Sequence, residues 1–388
     1  MSVNTMDFNQ AATILNTIHG QVTGKNAITP IDNTSWVSVA QETIAVGTDP
    51  VINAITQLVG RTIFSSRPYY RKFGGLQVDN QRFGAITRKL NIADKDFDTD
   101  AGFMLVDGQS VDMYKVNKPN ILQMNFYGTN VFTKDYTIFK DQLNSAFENA
   151  GQFGEFMSMI TTNAQNMIEQ SKESLARATL GNFIAGKYVA DNGVVHLLTE
   201  YNTATGQSFT SVSIMEPANF PAFAKWAYAR IEQISNMMTE RTDLYQIQVS
   251  GKEITRHTPK DRQKVYLYSP LLSEISARVL ADTFHDNFLR YSDVEAVNFW
   301  QSAQTPDTIN AEPVYLDTDG TLVNANATTV SNIFGVIFDE EAVGYNVFNE
   351  DTNVTPINAK GRYWNVFMNY NIRYWNDFTE KGVVLLLD

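Results

Sequence analysis

GRYWNVFMNYNIRYWNDFTEKGVVLLLD, residues 361–388, contains two strands of different character. Trp364, Val366, Met368, Tyr370, Ile372 and Tyr374 take every second position, with Asn365, Asn369, Asn371 and Arg373 between them. That alternation is the period of a strand with one buried and one wetter face, and it assigns Trp364, Met368, Tyr370 and Tyr374 to a core. Residues 383–387 are apolar throughout and form a second strand. Strands of this kind are sheet elements that other segments must cover.

The strongest helical pattern lies upstream, in FGEFMSMITTNAQNMIEQSKESLARATLGNFI, residues 153–184. Phe153, Phe156, Met157, Ile160, Ala164, Met167, Ile168, Leu175 and Ala178 mark one stripe at spacings of three and four, interrupted at Ser171 and Lys172. A helix over 152–184 is about 50 Å long at 1.5 Å per residue. A chain of 388 residues packs into a body with a diameter near ~54 Å, so one helix crosses it as a beam.

Around this beam the pattern is mixed. Residues 8–18 and 51–58 read as short helices separated by a Gly/Asn/Pro-rich stretch, which makes 1–60 an arm with two anchors. A hairpin is expected over 188–199, turned at Asp191, Asn192 and Gly193, followed by a helix over 220–238. Residues 264–270 read as a buried strand and 271–284 as a helix. Residues 332–348 read as strand, a short helical turn capped by Asp339, and strand. A hairpin over 313–323 turns at 317–320. The class is α+β.

Charge is unevenly placed. The chain carries a formal net charge of -12, yet residues 61–95 hold eight basic residues against Asp79 and Asp94, a local balance of +6. The sign then reverses at DKDFDTDAG, where Asp94, Asp96, Asp98 and Asp100 alternate. Four carboxylates on one strand face are tolerable only in water, beside a cation, or against basic groups from elsewhere. Residues 82–128 read as one long polar hairpin, with Arg82, Arg88 and Lys89 on its basic half and the four aspartates on its acidic half. Opposite charges on the two halves favour one docking register on a neighbouring molecule.

Catalytic and ligand-binding patterns are sparse. No cysteine is present, which removes disulfides, thiolate catalysis and cysteine-bound metals. His19, His196, His257 and His285 are far apart and have no ligand spacing. GNFIAGKY at 181–188 approaches a phosphate loop, but Tyr188 stands where Ser or Thr is required and the segment closes a helix, so a helix cap is the expectation. DTDG at 317–320 opens like a calcium loop but has Thr328 where Glu is needed. Neither a cofactor nor a metal site is assigned, and no enzyme activity is expected. The first twenty residues lack a basic region before a long apolar core, and no stretch reaches about 18 apolar residues, so the chain is expected in the cytosol without a membrane span.

GRYWNVFMNYNIRYW (361–375), NIFGVIFDEEAVG (332–344), KVYLYSPLLSEISARVL (264–280) and the order of elements around the long helix resemble the major capsid proteins of tailed double-stranded-DNA bacteriophages. The nearest likeness is to those of small short-tailed phages. The resemblance implies the Hong Kong 97 fold: an N-terminal arm (1–60), a first part of the peripheral domain (61–215) with an extended loop (82–128) and spine helix (152–184), an axial domain (216–360), and peripheral C-terminal strands (361–388). It implies self-assembly through hexamers and pentamers into an icosahedral virion capsid, built in the host cytoplasm. The partners it implies are a separate scaffolding protein, a portal, and packaged double-stranded DNA held without sequence-specific binding. Arg82, Arg88, Lys89, Asp94, Asp96, Asp98 and Asp100 would then touch a neighbouring subunit. The alternative of similar plan is an encapsulin-like bacterial compartment shell, distinguished by its cargo.

Overall fold

The computed structural model describes residues 8–24, 33–46, 50–51, 54, 72–78, 87–95, 103, 105–114, 116, 118–126, 129–140, 150–273 and 294–388, with backbone alone at 10, 33–34, 87, 129–130, 150–161, 164 and 348–350. The first half contributes α1 (Phe8–Thr23), α2 (Asn33–Ala45), β1 (Thr87–Ile92), β2 (Ile121–Phe126), β3 (Thr129–Phe139) and α3 (Ala150–Val189). Then follow β4 (Val194–His196), α4 (Leu197–Thr205), α5 (Phe220–Thr239), β5 (Gln263–Tyr268) and β6 (Val294–Val297). The remaining strands are β7 (Ile309–Ala311), β8 (Val314–Leu316), β9 (Leu322–Asn324), β10 (Thr328–Val330), β11 (Ile333–Asp339), β12 (Val343–Val354), β13 (Tyr363–Asn376) and β14 (Gly382–Leu386).

Two strand patterns produce two kinds of sheet. The uninterrupted apolar strands β5, β11 and β14 lie inside a five-stranded sheet of order β4-β14-β11-β5-β6. Both faces of that sheet are covered. Val384, Leu386, Val336, Phe338 and Tyr266 pack into a core that includes Phe183 and Ile184 of α3. Val383, Leu385, Ile337, Val265 and Leu267 pack against α4 and α5 through Leu197, Phe223 and Ile231. A strand buried on both sides has no use for alternation.

The alternating strand β13 instead lies between β12 and β3, antiparallel to both. Trp364, Val366, Met368 and Ile372 face the core, and Thr133 and Thr137 donate to Asn369 and Asn365 on the other face. The expected alternation fails at its last member. Tyr374 is 38% exposed whereas Trp364 is 1% exposed and Arg373 is buried. The register agrees with this: among the described residues β3 reaches only as far as Arg373, so Tyr374 has a β12 partner and no described β3 neighbour.

The long helix is longer than its apolar stripe. α3 has 40 residues, about 60 Å of rise, and continues through the segment expected to cap it. Gly186 sits inside the helix because the Phe378 ring packs there; a Cβ would lie 2.6 Å from that ring. The turn comes at Asp191 and Gly193, both with positive φ. β4 then pairs in parallel with β14, so the hairpin expected over 188–199 is not formed. The stripe is rephased as well: Lys172, Glu173 and Thr179 are buried and Ala178 is exposed. Met167 is half-buried, and the side chains of Phe153, Phe156, Ile160 and Ala164 lie outside the description.

The helix expected over 8–18 is α1, but α2 lies within the stretch read as Gly/Asn/Pro-rich and non-helical, and of the helix expected over 51–58 only residues 51 and 54 are described. α1 and α2 pack through Leu15, Ile18, Trp36 and Val39, with His19 Nδ1 3.0 Å from Thr43 Oγ1 between them, and that burial explains a helix that composition hides. β8 and β9 form the hairpin turned at 317–320. Asp339 caps a turn between β11 and β12, accepting from the Glu341 amide at 2.9 Å, although no helical turn forms there. Residues 269–273 are helical, and the rest of the helix expected over 271–284 lies outside the described residues.

Candidate assembly surface

β1 and β2 pair antiparallel from Thr87 opposite Phe126 to Ile92 opposite Ile121, which makes the stem of a hairpin. Period two sends Lys89, Asn91, Leu122 and Met124 toward the body and Arg88, Leu90, Ile92 and Ile121 away from it. The chain enters from residues 72–78, anchored by Phe73 stacked on Tyr266 at 5.1 Å and by the Val78 amide donating to Tyr345 O.

The inward face of the stem is held by charge. Lys89 Nζ lies 2.8 Å from Asp377 Oδ2 and 3.1 Å from Glu341 Oε2, and it also contacts Glu380. Arg256 holds Glu380 at 2.7 Å from the other side and donates to Thr379 O. Burial alone would lower the pKa of Lys89, but Asp377 and then Glu380 outweigh it and leave the ammonium well above its ordinary range. Burial raises Glu380 despite Lys89 and Arg256. Asp377 and Glu380 come from the loop between β13 and β14, where Asp377, Phe378, Thr379, Glu380 and Lys381 are all buried, and Glu341 from the turn between β11 and β12.

That loop joins α3, the β11–β12 turn and the segment at 241–256. Phe378 stacks on Phe183 of α3 at 5.3 Å, the Asp377 amide donates to Ala342 O, and the Ile247 amide donates to Phe378 O. Two buried lysines fix the adjoining segment: Lys187 Nζ donates to Tyr245 O and Asn192 Oδ1, and Lys381 Nζ to Thr242 Oγ1 and Leu244 O. Burial pushes Lys187 down to about 7, with Asp377 opposing, and Lys381 down to about 8, with Asp243 opposing. A second clasp grips the hairpin just above the stem. The amide and hydroxyl of Thr255 donate to Asp94 and, with the Arg241 guanidinium, hold its carboxyl below the usual range. The Asp94 amide donates to Glu253 O, and Asn120 Nδ2 to Gly251 O.

The residues expected on a docking face are therefore divided. Lys89 and Asp94 are engaged by carboxylates, a hydroxyl and a guanidinium of their own chain. Arg88 is exposed on the outward face. Arg82, Asp96, Asp98 and Asp100 lie outside the described residues. What period and charge did not single out is the apolar content of the outward face. Among the described residues, ten of the 22 exposed large apolar side chains fall within 90–121. Leu90 is 60%, Ile92 65% and Phe103 92% exposed, with Met113, Tyr114 and Val116 comparably bare. One isolated apolar residue in water is ordinary, but such a concentration marks an interaction surface.

The described residues thus combine a long helix, a sheet covered on both faces, a sheet with one buried face and a hairpin stem with an apolar outward face. A chain of the capsid structure of Staphylococcus phage Andhra superposes with a TM-score of 0.56 at 12% identity, covering 84% of this chain and 86% of that one. A chain from the structure of the head fiber and inner core protein gp22 of native bacteriophage P68 gives a TM-score of 0.57 at 10% identity, with 84% and 86% covered. No curated protein matches by sequence. The model of the Phi29-like phage major capsid protein family matches residues 11–383, and the chain belongs to that family. It is thus a structural protein of the phage capsid, and the compartment-shell alternative is not favoured.

Proposed function

We propose that this subunit assembles through hexameric and pentameric rings into an icosahedral shell around double-stranded DNA, with the 82–128 hairpin lying over an adjacent subunit. The observation that carries this reading is the bare apolar surface of 90–121 on a stem clamped to its own body. A clamped stem presents that surface in a fixed direction, which lowers the ordering cost of docking. In this scheme residues 1–60 form the arm, 61–215 with the spine and 361–388 the peripheral domain, and 216–360 the axial domain. Assembly takes place in the host cytoplasm on a separate scaffolding protein, with a portal at one vertex. The net charge of -12 suits a wall beside DNA that does not grip it.

Docking is then chiefly apolar, with Arg88 as a rim charge. Burying Leu90 and Ile92 contributes on the order of 3 kcal/mol per contact, and closure of a shell multiplies each contact. The variant Leu90→Ser with Ile92→Ser touches no described core. It should yield soluble, folded subunit that forms few or no shells on sedimentation. Normal particle yield from this variant would remove the hairpin from the contact.

A further inference from the structure

A second pair of features, away from the hairpin, is unmatched among the described residues. Between α4 and α5 lies a groove of about 440 Å³, with Trp226 and Ala229 on one wall, Ala204 on the other and the Glu200–Arg230 pair at its edge. Arg230 Nε and Nη2 meet the two Glu200 oxygens at 2.7 and 3.2 Å, which fixes that edge. Tyr201 packs on the Trp226 ring at 5.4 Å from below. The loop joining the same two helices carries the other feature. Val212 is 79% exposed at its tip.

That valine is held out by a stiff loop. Asn202 clamps Phe209 at both its amide and its carbonyl, Thr210 and Ser213 exchange hydrogen bonds across the tip, Ile214 is buried, and Asn219 Nδ2 donates to Ser213 O. The knob does not fill its own groove, because no residue of 206–219 lines it. Charge agrees with a fit between copies: Glu216 is the sole charged residue of 206–219, and Lys225, which does not itself line the groove, is exposed one helical turn before Ala229, which does.

We infer that the Val212 loop of one subunit seats in the α4–α5 groove of the next, as a head-to-tail contact of the capsid ring. The inference rests on the shell-forming reading above and assigns it a second contact, distinct from the hairpin. Two different patches on every subunit are what a ring requires, since a self-complementary patch stops at a dimer. A pre-ordered loop and a formed groove make such a contact without a folding step.

The absence of cysteine makes the test direct. Val212→Cys and Ala229→Cys are combined in one chain, the protein is assembled and oxidised, and the chains are separated without reductant. Head-to-tail docking gives a ladder of cross-linked chains ending at the ring size, while either single variant gives monomers. Monomers from the double variant in normally formed particles overturn the inference and leave the shell reading intact. Dimers from Val212→Cys alone overturn it too, because knob would then meet knob. Val212→Asp covers a double variant that fails to assemble. Its side chain is in water in the free subunit, so the variant folds, and the concentration needed for assembly should rise about tenfold or more. Assembly at the wild-type concentration refutes the contact. Failure of the unmodified chain to form any shell would instead refute the function proposed above.

Discussion

Arg88 and Lys89 are adjacent in sequence and face opposite ways, so reversing each charge separately tests how the hairpin is mounted. Lys89→Glu places a fourth carboxylate beside Asp377, Glu380 and Glu341, the first two of them buried. Removing one partner of a buried pair costs about 3–5 kcal/mol. The partial exposure of Lys89 points to the low end, and repulsion among four carboxylates adds to it, so the loss should be at least about 3 kcal/mol. That is a large fraction of the ~5–15 kcal/mol that holds a domain together. Arg88→Glu alters an exposed side chain and should stay within about 0.5 kcal/mol. Urea denaturation of the unassembled subunit, followed by circular dichroism, compares the midpoints at unchanged slope. Lys89→Glu should give a much lower midpoint or insoluble protein, and Arg88→Glu the wild-type curve. Equal midpoints would show that the stem is not clamped as described.

Trp364→Ala should cost about 3–5 kcal/mol through lost burial and the cavity left behind, whereas Tyr374→Ala should cost about 1 kcal/mol; similar melting shifts for the two would contradict the exposure of Tyr374. Lys187 has a folded pKa near 7 against an ordinary 10.5. Between those values the unfolded chain holds a proton that the folded one lacks, so wild type gains stability over Lys187→Met as pH rises from 7 to 10, with a limiting slope of about 1.4 kcal/mol per unit. Below pH 7 the difference is flat. Urea midpoints for both proteins at pH 6, 7, 8 and 9 measure it, and a difference constant over the whole range would mean that buried Lys187 keeps its proton.

How much of this was legible in the sequence depended on the range of the signal. Alternation in 364–372 and the apolar runs at 264–268, 333–338 and 383–387 report how many faces a strand buries, and the structure follows them. The stripe of α3 agrees with the structure at Ile168 and Leu175 but breaks at Lys172 and Glu173, where polar residue types point into the core and the period cannot say so. The run Asn376 to Lys381 looks like a solvated turn and is buried nearly whole, because its partners come from α3, β1 and the 241–256 segment. Lys89 and Asp377 stand 288 positions apart, a distance over which local patterning carries nothing. The basic stretch pointed to a hairpin whose inward charges serve its own chain, with the apolar residues between them facing outward.

The most direct test of the central claim is an electron cryomicroscopy reconstruction of particles formed by the purified protein, refined until the path of residues 87–126 can be followed. Closed icosahedral shells in which the outward face of Leu90, Ile92 and Ile121 lies on an adjacent subunit, with Lys89 still on its own Asp377, are the predicted result. Protein that remains monomeric under all assembly conditions would contradict the account, as would shells in which that face points into solvent.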